Sequence, residues 1–132
     1  MKYLLDTDTL IYISKRAGKC LERLEQHANA DIAISSLNVF ELEYGISRSS
    51  APARAQSFLA ELQARFTVLP FDNASAAQAG RVRAQLRLAG VPIGPYDLQH
   101  AGIALANQLV FVTRNTREFE RVLGLRLDNW YD

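Results

Sequence analysis

Residues 2–10, KYLLDTDTL, place a short apolar run directly before two carboxylates. The run at 3–5 is too brief for a helix and is typical of a strand buried on both faces. A carboxylate that follows such a strand, as Asp6 does, stands in the crevice where open α/β sheets bind ligands. We expect Asp8 or Thr9 to cap the helix that follows. The alternative is that both acids are only caps and turn formers.

The rest of the chain alternates between strand-like and helix-like segments. Further strands are predicted at 32–34, 67–69 and 109–112, with 125–127 as a candidate fifth strand. Helices are predicted at 10–14, 21–28, 37–46, 53–66, 74–88, 96–106 and 116–122. Strands that alternate with helices are typical of a parallel sheet covered on both faces. We therefore predict an α/β fold in which residues 1–132 form one domain around a central parallel sheet of four to five strands.

Length and composition are typical of a globular protein. The 132 residues favour one domain, and 48% hydrophobic with 22% charged residues is an ordinary balance. No apolar run approaches the roughly 20 residues that span a bilayer. Asp6 and Asp8 interrupt any signal-peptide core, which predicts a cytoplasmic protein. The lone Cys20 excludes an internal disulfide, and the net charge of +1 is compatible with nucleic acid without requiring it.

Four polar side chains fall just beyond predicted strand ends or in the helices that follow them. Asp6 follows the first strand directly, and Glu41 lies about one and a half turns into the helix after the second strand. Asp97 lies in the first turn of the helix that begins near Pro95, and Asn115 comes three residues after the fourth strand. Because the carboxyl ends of parallel strands meet at one edge of a sheet, we expect these side chains to converge.

Three carboxylates in one crevice repel each other. A pair about 4 Å apart costs about 1 kcal/mol in bulk water and about 4 kcal/mol at an effective dielectric constant of about 20. The cluster therefore needs raised pKa values or a bound cation. Ligands that are all oxygen favour Mg²⁺ or Mn²⁺ over zinc. Such an ion binds a phosphate oxygen and lowers the pKa of a coordinated water, which indicates phosphodiester hydrolysis.

Four blocks of sequence, in order, carry a likeness to a known family. They are LLDTDTLIY at 4–12, ISSLNVFELEYG at 34–45, VPIGPYDLQHAGIALA at 91–106 and VTRNTREFERVLGLRLDNW at 112–130. With them the chain resembles the PIN-domain ribonucleases and, within that family, the VapC-type toxins of bacterial toxin–antitoxin pairs. The resemblance covers nearly the whole chain. It implies a PIN domain over residues 1–132 and a Mg²⁺- or Mn²⁺-dependent endoribonuclease that acts on RNA, forms a homodimer and is inhibited by a cognate antitoxin protein.

The same resemblance implies roles for individual residues. Asp6, Glu41 and Asp97 are then the three acidic metal ligands. Asn115 occupies the position of a fourth acid that many relatives carry. These four are the expected catalytic residues.

The chain departs from the family pattern at two positions. Asp8 replaces the Asn that more usually follows LDT, and His100 stands where the family usually shows an apolar residue. We expect His100 to be a packed neutral histidine, with a role beside the acidic site or as a proton carrier as the alternative. Arg114, in the same loop as Asn115, and Arg48 flank the predicted crevice and are candidate contacts for RNA phosphates.

Two other functions compete with this interpretation. The LLDTDTL stretch also fits the haloacid-dehalogenase phosphatases, with Asp6 as nucleophile and Asp8 as acid and base. That mechanism needs a Lys late in the chain, and none follows Lys19. The second alternative is a PIN-like binding module without catalysis, which Asn115 in place of an acid favours.

Overall fold

A five-stranded parallel sheet forms the centre of the structure, a computed structural model that describes residues 1–132. The strands are β1 (Tyr3–Leu5), β2 (Ile32–Ser35), β3 (Thr67–Leu69), β4 (Val110–Val112) and β5 (Leu127–Asp128). Their order across the sheet is β3-β2-β1-β4-β5, and each neighbouring pair is parallel. β1 therefore lies in the middle, and its carboxyl end lies beside the carboxyl ends of β2 and β4.

Seven helices connect the strands. They are α1 (Thr7–Lys15), α2 (Cys20–Glu25), α3 (Ser36–Ser47), α4 (Pro52–Arg65), α5 (Asn73–Leu88), α6 (Pro95–Ala106) and α7 (Thr116–Phe119). Local residues explain where several of them begin. Proline stands at the first position of α4 and of α6, where its missing N–H costs nothing, and the Asp72 side chain caps α5. None of the helices combines the length and the apolar character needed to cross a membrane.

Alternation along the strands sends side chains to two separate cores. On one face, Leu4 and Phe111 pack with buried residues of α5, α6 and α7. On the other face, Leu5 and Val112 pack with buried residues of α1, α2 and α4. The sheet is therefore covered on both sides, as its nearly continuous apolar strands require.

Helices α5 and α6 lie in close contact at Gly102. A Cβ atom placed on Gly102 would lie 2.5 Å from the carbonyl oxygen of Ser75 and 2.8 Å from Cβ of Ala79. Only a residue without a side chain fits there. This contact holds α6, the helix that carries Asp97, firmly against α5.

The predicted α/β fold with a parallel sheet and helices on both faces is confirmed. The fifth strand exists but lies at Leu127–Asp128 rather than at 125–127. The expectation that Asp8 or Thr9 caps the first helix is wrong. The chain turns directly after β1, so Asp6 is the cap and α1 already begins at Thr7. Asp8 lies exposed in the first turn of that helix.

Candidate active site

Asp6 stands at the carboxyl end of β1 and is held by donors on two sides. Its Oδ1 accepts a hydrogen bond from the backbone N–H of Thr7, and its Oδ2 accepts one from the hydroxyl of Thr113, both at 2.8 Å. Thr113 directly follows β4 and is fully buried, so the neighbouring strand orients the carboxylate. Burial raises the pKa of Asp6, and this effect outweighs the lowering by His100 and by the two donors.

Glu41 reaches the same edge of the sheet from α3. Its Oε1 accepts a hydrogen bond from the hydroxyl of Thr7 at 2.9 Å and lies 2.9 Å from Nε2 of His100. Burial raises the pKa of Glu41, but the hydrogen bonds with His100 and Thr7 outweigh it and hold the pKa below its usual value. Glu41 is therefore a carboxylate at neutral pH.

Asp97 lies in the first turn of α6 and faces Glu118 of α7. Burial raises the pKa of Asp97 to about 7, and the charge of Glu118, a hydrogen bond with that residue and the charge of Asp6 add to the effect. The carboxyl groups of Asp97 and Glu118 are therefore neighbours. The structure thus brings Asp6, Glu41 and Asp97 to one edge of the sheet, with Glu118 as a further acid beside them.

Asn115, predicted as the fourth member of the site, has a different place from the three acids. It is exposed, its side-chain amide donates to the carboxylate of Glu118, and its backbone N–H donates to the hydroxyl of Thr113 at 3.1 Å. Asn115 therefore touches the site through Glu118 and supplies no charge of its own. Glu118 provides the carboxylate that Asn115 lacks. The asparagine at position 115 is therefore a weaker argument for a binding module without catalysis.

The two predicted phosphate contacts lie in different surroundings. The guanidinium of Arg114 lies over the ring of Tyr131, 3.5 Å from its centroid, and 5.7 Å from the ring centroid of Tyr12. It is exposed at the loop that leads to Asn115. Arg48 follows the last residue of α3, about 10 Å further along the axis than Glu41 at 1.5 Å per residue.

Sequence reasoning missed Glu118 and Asn38. Glu118 sits one helical turn beyond Asn115 in TREFER, a spacing that puts both residues on one side of α7. Asn38 is completely buried and forms a capping box with Ser35 at the start of α3. Its side-chain amide also donates to the hydroxyl of Thr7 at 2.8 Å. An asparagine at the third position of a helix after SS was the available signal for this contact.

An open cavity of about 460 Å³ lies beside the acids. Its lining includes Glu41 and Thr7 on the polar side and three exposed aromatic rings on the other, Phe40, Tyr44 and Tyr96. Exposed aromatic side chains grouped at a cavity are typical of a surface that receives another molecule. The cavity therefore combines the acids Glu41 and Asp8 with three aromatic rings.

The acidic side chains suit a hard divalent cation. Asp6, Asp97 and Glu118 have no Lys or Arg within ion-pair distance, and the one basic partner in the group is His100 beside Glu41. The donors are carboxylate oxygens, which Mg²⁺ and Mn²⁺ prefer. No three of the acidic and histidine side chains already converge as a complete set of ligands. An ion that binds here would therefore draw the carboxylates together.

Comparison with known proteins identifies the class. The PIN domain family matches residues 3–125. The chain is 38% identical over 130 residues to the tRNA(fMet)-specific endonuclease VapC of Salmonella typhimurium, with 98% of each protein covered. It is also 38% identical over 131 residues to ribonuclease VapC2 of Haemophilus influenzae, again with 98% of each covered. The chain therefore belongs to the PIN-domain family, as the sequence blocks predicted.

Solved structures agree with this assignment. The DNA-bound VapBC of Salmonella typhimurium gives a TM-score of 0.91 at 39% identity, with 98% of each chain covered. VapBC2 of Rickettsia felis, bound to a promoter DNA fragment, gives a TM-score of 0.90 at 34% identity, with 98% of this chain and 99% of the other covered. Within its family the chain is thus of the VapC type, whose members are ribonucleases that generally depend on a metal ion. The haloacid-dehalogenase alternative finds no support.

Proposed function

We propose that this protein is the toxin of a toxin–antitoxin pair and hydrolyses internal phosphodiester bonds of RNA at the site formed by Asp6, Glu41 and Asp97, with Glu118 beside them. The observation that carries the proposal is the placement of these carboxylates, without Lys or Arg partners, on elements that begin at the carboxyl ends of the central strands. Such a site attracts a divalent cation and, through it, a phosphate. We take residues 1–132 as one PIN domain that carries this activity.

The proposed ion is Mg²⁺ or Mn²⁺. Asp6, Glu41 and Asp97 would hold it, and when bound it supplies Lewis-acid chemistry and a water of lowered pKa. The chain's own residues prepare the site for it. Thr113 and the Thr7 N–H fix the Asp6 carboxylate, and Asn115 holds Glu118 near Asp97. The two contacts of Asp6 are partly buried, where a hydrogen bond is stronger than in water, so they orient this carboxylate before substrate arrives.

RNA would enter along the open cavity. Arg114 is exposed near the acids and is the first candidate for a phosphate contact, and Arg48 at the end of α3 is the second. The relative from Salmonella typhimurium is named as specific for tRNA(fMet), and we propose a tRNA as the substrate here as well. With such a substrate, we propose that the protein acts in the cytoplasm.

A cognate antitoxin and a second copy of the chain are the proposed protein partners. Structures with similar folds are complexes named VapBC, in which the toxin is crystallised together with its antitoxin. On this chain the exposed Phe40, Tyr44 and Tyr96 provide an apolar surface next to the acids. A partner that covers this surface would also close the way to Glu41, which gives inhibition a simple steric basis.

The test is cleavage of purified tRNA by the wild-type protein and by three variants. Asp6→Asn and Asp97→Asn should abolish Mg²⁺- or Mn²⁺-dependent cleavage, because each removes an oxygen ligand in a side chain of nearly unchanged size. Glu43→Gln is the matched control, since Glu43 is an exposed acid two residues from Glu41. Full cleavage by folded Asp97→Asn would contradict the assignment. RNA binding without cleavage by the wild type would instead indicate a binding module.

A further inference from the structure

His100 is buried inside the acidic site. It lies one turn after Asp97 on α6, and only 1% of its surface is exposed. Its ring lies over Phe111 of β4, with centroids 5.7 Å apart and planes at 28°. This packing fixes the direction of the ring, so Nε2 points at Oε1 of Glu41 at 2.9 Å.

The hydrogen bonds around Glu41 determine which atom donates. Asn38 donates to the hydroxyl oxygen of Thr7, so the hydroxyl hydrogen of Thr7 is directed to Oε1 of Glu41. A carboxylate oxygen only accepts, so Nε2 of His100 must carry the hydrogen in its own contact with Oε1. The other ring nitrogen, Nδ1, is buried and has no partner.

The two oxygens of Glu41 are consequently unequal. Oε1 accepts from Thr7 and from His100, whereas Oε2 has no hydrogen-bond partner in the protein. A glutamate has three rotatable bonds, and two donors on one oxygen restrict them strongly. Oε2 is thereby left as the oxygen available to a ligand in the crevice.

We propose that His100 is a positioning residue that holds Oε1 of Glu41 through Nε2–H and so presents Oε2 to the divalent cation. The inference rests on the proposed function, because it gives Glu41 the role of a ligand. Partners of metal ligands act in this way by orienting the ligand before the ion binds, and their loss typically weakens metal affinity by 10-fold to 100-fold. His100 itself contacts neither ion nor substrate.

The experiment measures Mn²⁺ binding to the metal-free protein, with free Mn²⁺ followed by electron paramagnetic resonance. His100→Leu keeps an apolar side chain in the space of the ring but removes the hydrogen-bond donor. We expect the Kd of this variant for Mn²⁺ to rise about 10-fold. His100→Gln restores an N–H donor at a similar reach and should return the Kd close to that of the wild type. His27→Leu, which changes the other histidine, is the control and should bind Mn²⁺ like the wild type.

A spectroscopic measurement tests the same contact without any metal. Nitrogen-15 NMR of the imidazole rings, assigned with His27→Leu, should show the hydrogen of His100 on Nε2. An Nδ1–H ring would overturn the inference, as would wild-type Mn²⁺ affinity in folded His100→Leu. Equal weakening in the Leu and Gln variants would also overturn it, because packing rather than donation would then matter. Should the Leu variant not fold, the ring tautomer and the Gln variant decide.

A different variant, Asp6→Asn, tests the proposed function itself. Asp6→Asn that retains both Mn²⁺ binding and RNA cleavage would reject the metal site as a whole. Loss of both in Asp6→Asn, together with normal binding in His100→Leu, would reject only the role of His100.

Discussion

At the scale of residues, the pKa values of Glu41 and Asp97 are shifted in opposite directions within one crevice. Burial raises the pKa of both, but Glu41 receives hydrogen bonds from His100 and Thr7, which hold its pKa below the usual value. Asp97 instead meets Glu118, and its pKa rises to about 7. Donors favour the charged form, and a second acid favours the neutral form.

The Asp97 pKa predicts how stability depends on pH without metal. The folded protein holds a proton on Asp97 more tightly than the unfolded chain does, so this stabilising contribution is complete below about pH 4 and is lost as the pH rises through about 7. In EDTA, the melting temperature of Asp97→Asn should therefore fall less over this interval than that of the wild type. Thermal melts at a series of pH values measure the difference. Parallel curves would contradict the pKa assignment.

At the scale of elements, two acids near helix starts differ in whether they cap the helix. Asp72 is the N-cap of α5 and accepts from both the backbone N–H and the hydroxyl of Ser75, whereas Asp8 lies within the first turn of α1. An acid in the first turn interacts only with the helix dipole, which is worth about 0.3–1 kcal/mol. Asp8→Ala should therefore lower the free energy of unfolding by less than 1 kcal/mol.

Asp72→Ala serves as the comparison in urea unfolding. It removes two hydrogen bonds, one of which is the helix cap, so it should lower the free energy of unfolding more than Asp8→Ala does. Equal losses in the two variants would mean that Asp8 contributes to the start of α1 as a cap after all.

Replacing either of two glycines by alanine should change the stability of the protein, but in opposite directions, because only one of them lies at the contact between α5 and α6. Gly102→Ala places a methyl group against the Ser75 carbonyl and Ala79, and forcing the helices apart should cost about 1–3 kcal/mol. Gly80→Ala meets nothing within 4 Å on the exposed side of α5, so it should stabilise the protein by up to about 1 kcal/mol. Urea unfolding of both variants measures the two signs. Stabilisation by Gly102→Ala would contradict the close approach.

Much of the site could be predicted because its acids follow short apolar strands. Asp6 and Asp97 stand beside clear breaks, a strand end and Pro95, and need no knowledge of packing. Glu118 could not be predicted in this way, because its approach to Asp97 depends on how α7 and α6 lie together. The capping role of Asp6 depended on whether the chain turned one residue earlier, which local propensity did not decide.

Contacts between helices that are distant in the sequence could not be predicted either. The spacing placed His100 on the same side of α6 as Asp97, but its bond to Glu41 crosses from α6 to α3. His100 is buried against Phe111, as expected of a packed histidine, and its contact with Glu41 fits the alternative of a role beside the acidic site. Only the fold shows that His100 is both packed against an aromatic ring and hydrogen-bonded to a carboxylate.

At the scale of the whole molecule, a bound ion should raise stability. Under the proposed function, Mn²⁺ or Mg²⁺ would bind the native acids and relieve their repulsion, while the unfolded chain would bind such ions poorly. The melting temperature of the wild type should increase with ion concentration, and the increase should be smaller in Glu41→Gln. Glu43→Gln should respond like the wild type. Equal shifts in wild type and Glu41→Gln would place the ion elsewhere.

The strand order also sets when the protein can become active during its synthesis. β1 is made first but pairs with β4, whose last residue is Val112, and the acids at positions 6, 41, 97 and 118 come from every part of the chain. At least 118 residues must therefore be translated before all four acids exist. Under the proposed function, a shorter nascent chain lacks the complete site, so an antitoxin needs to meet only molecules that have been translated beyond it.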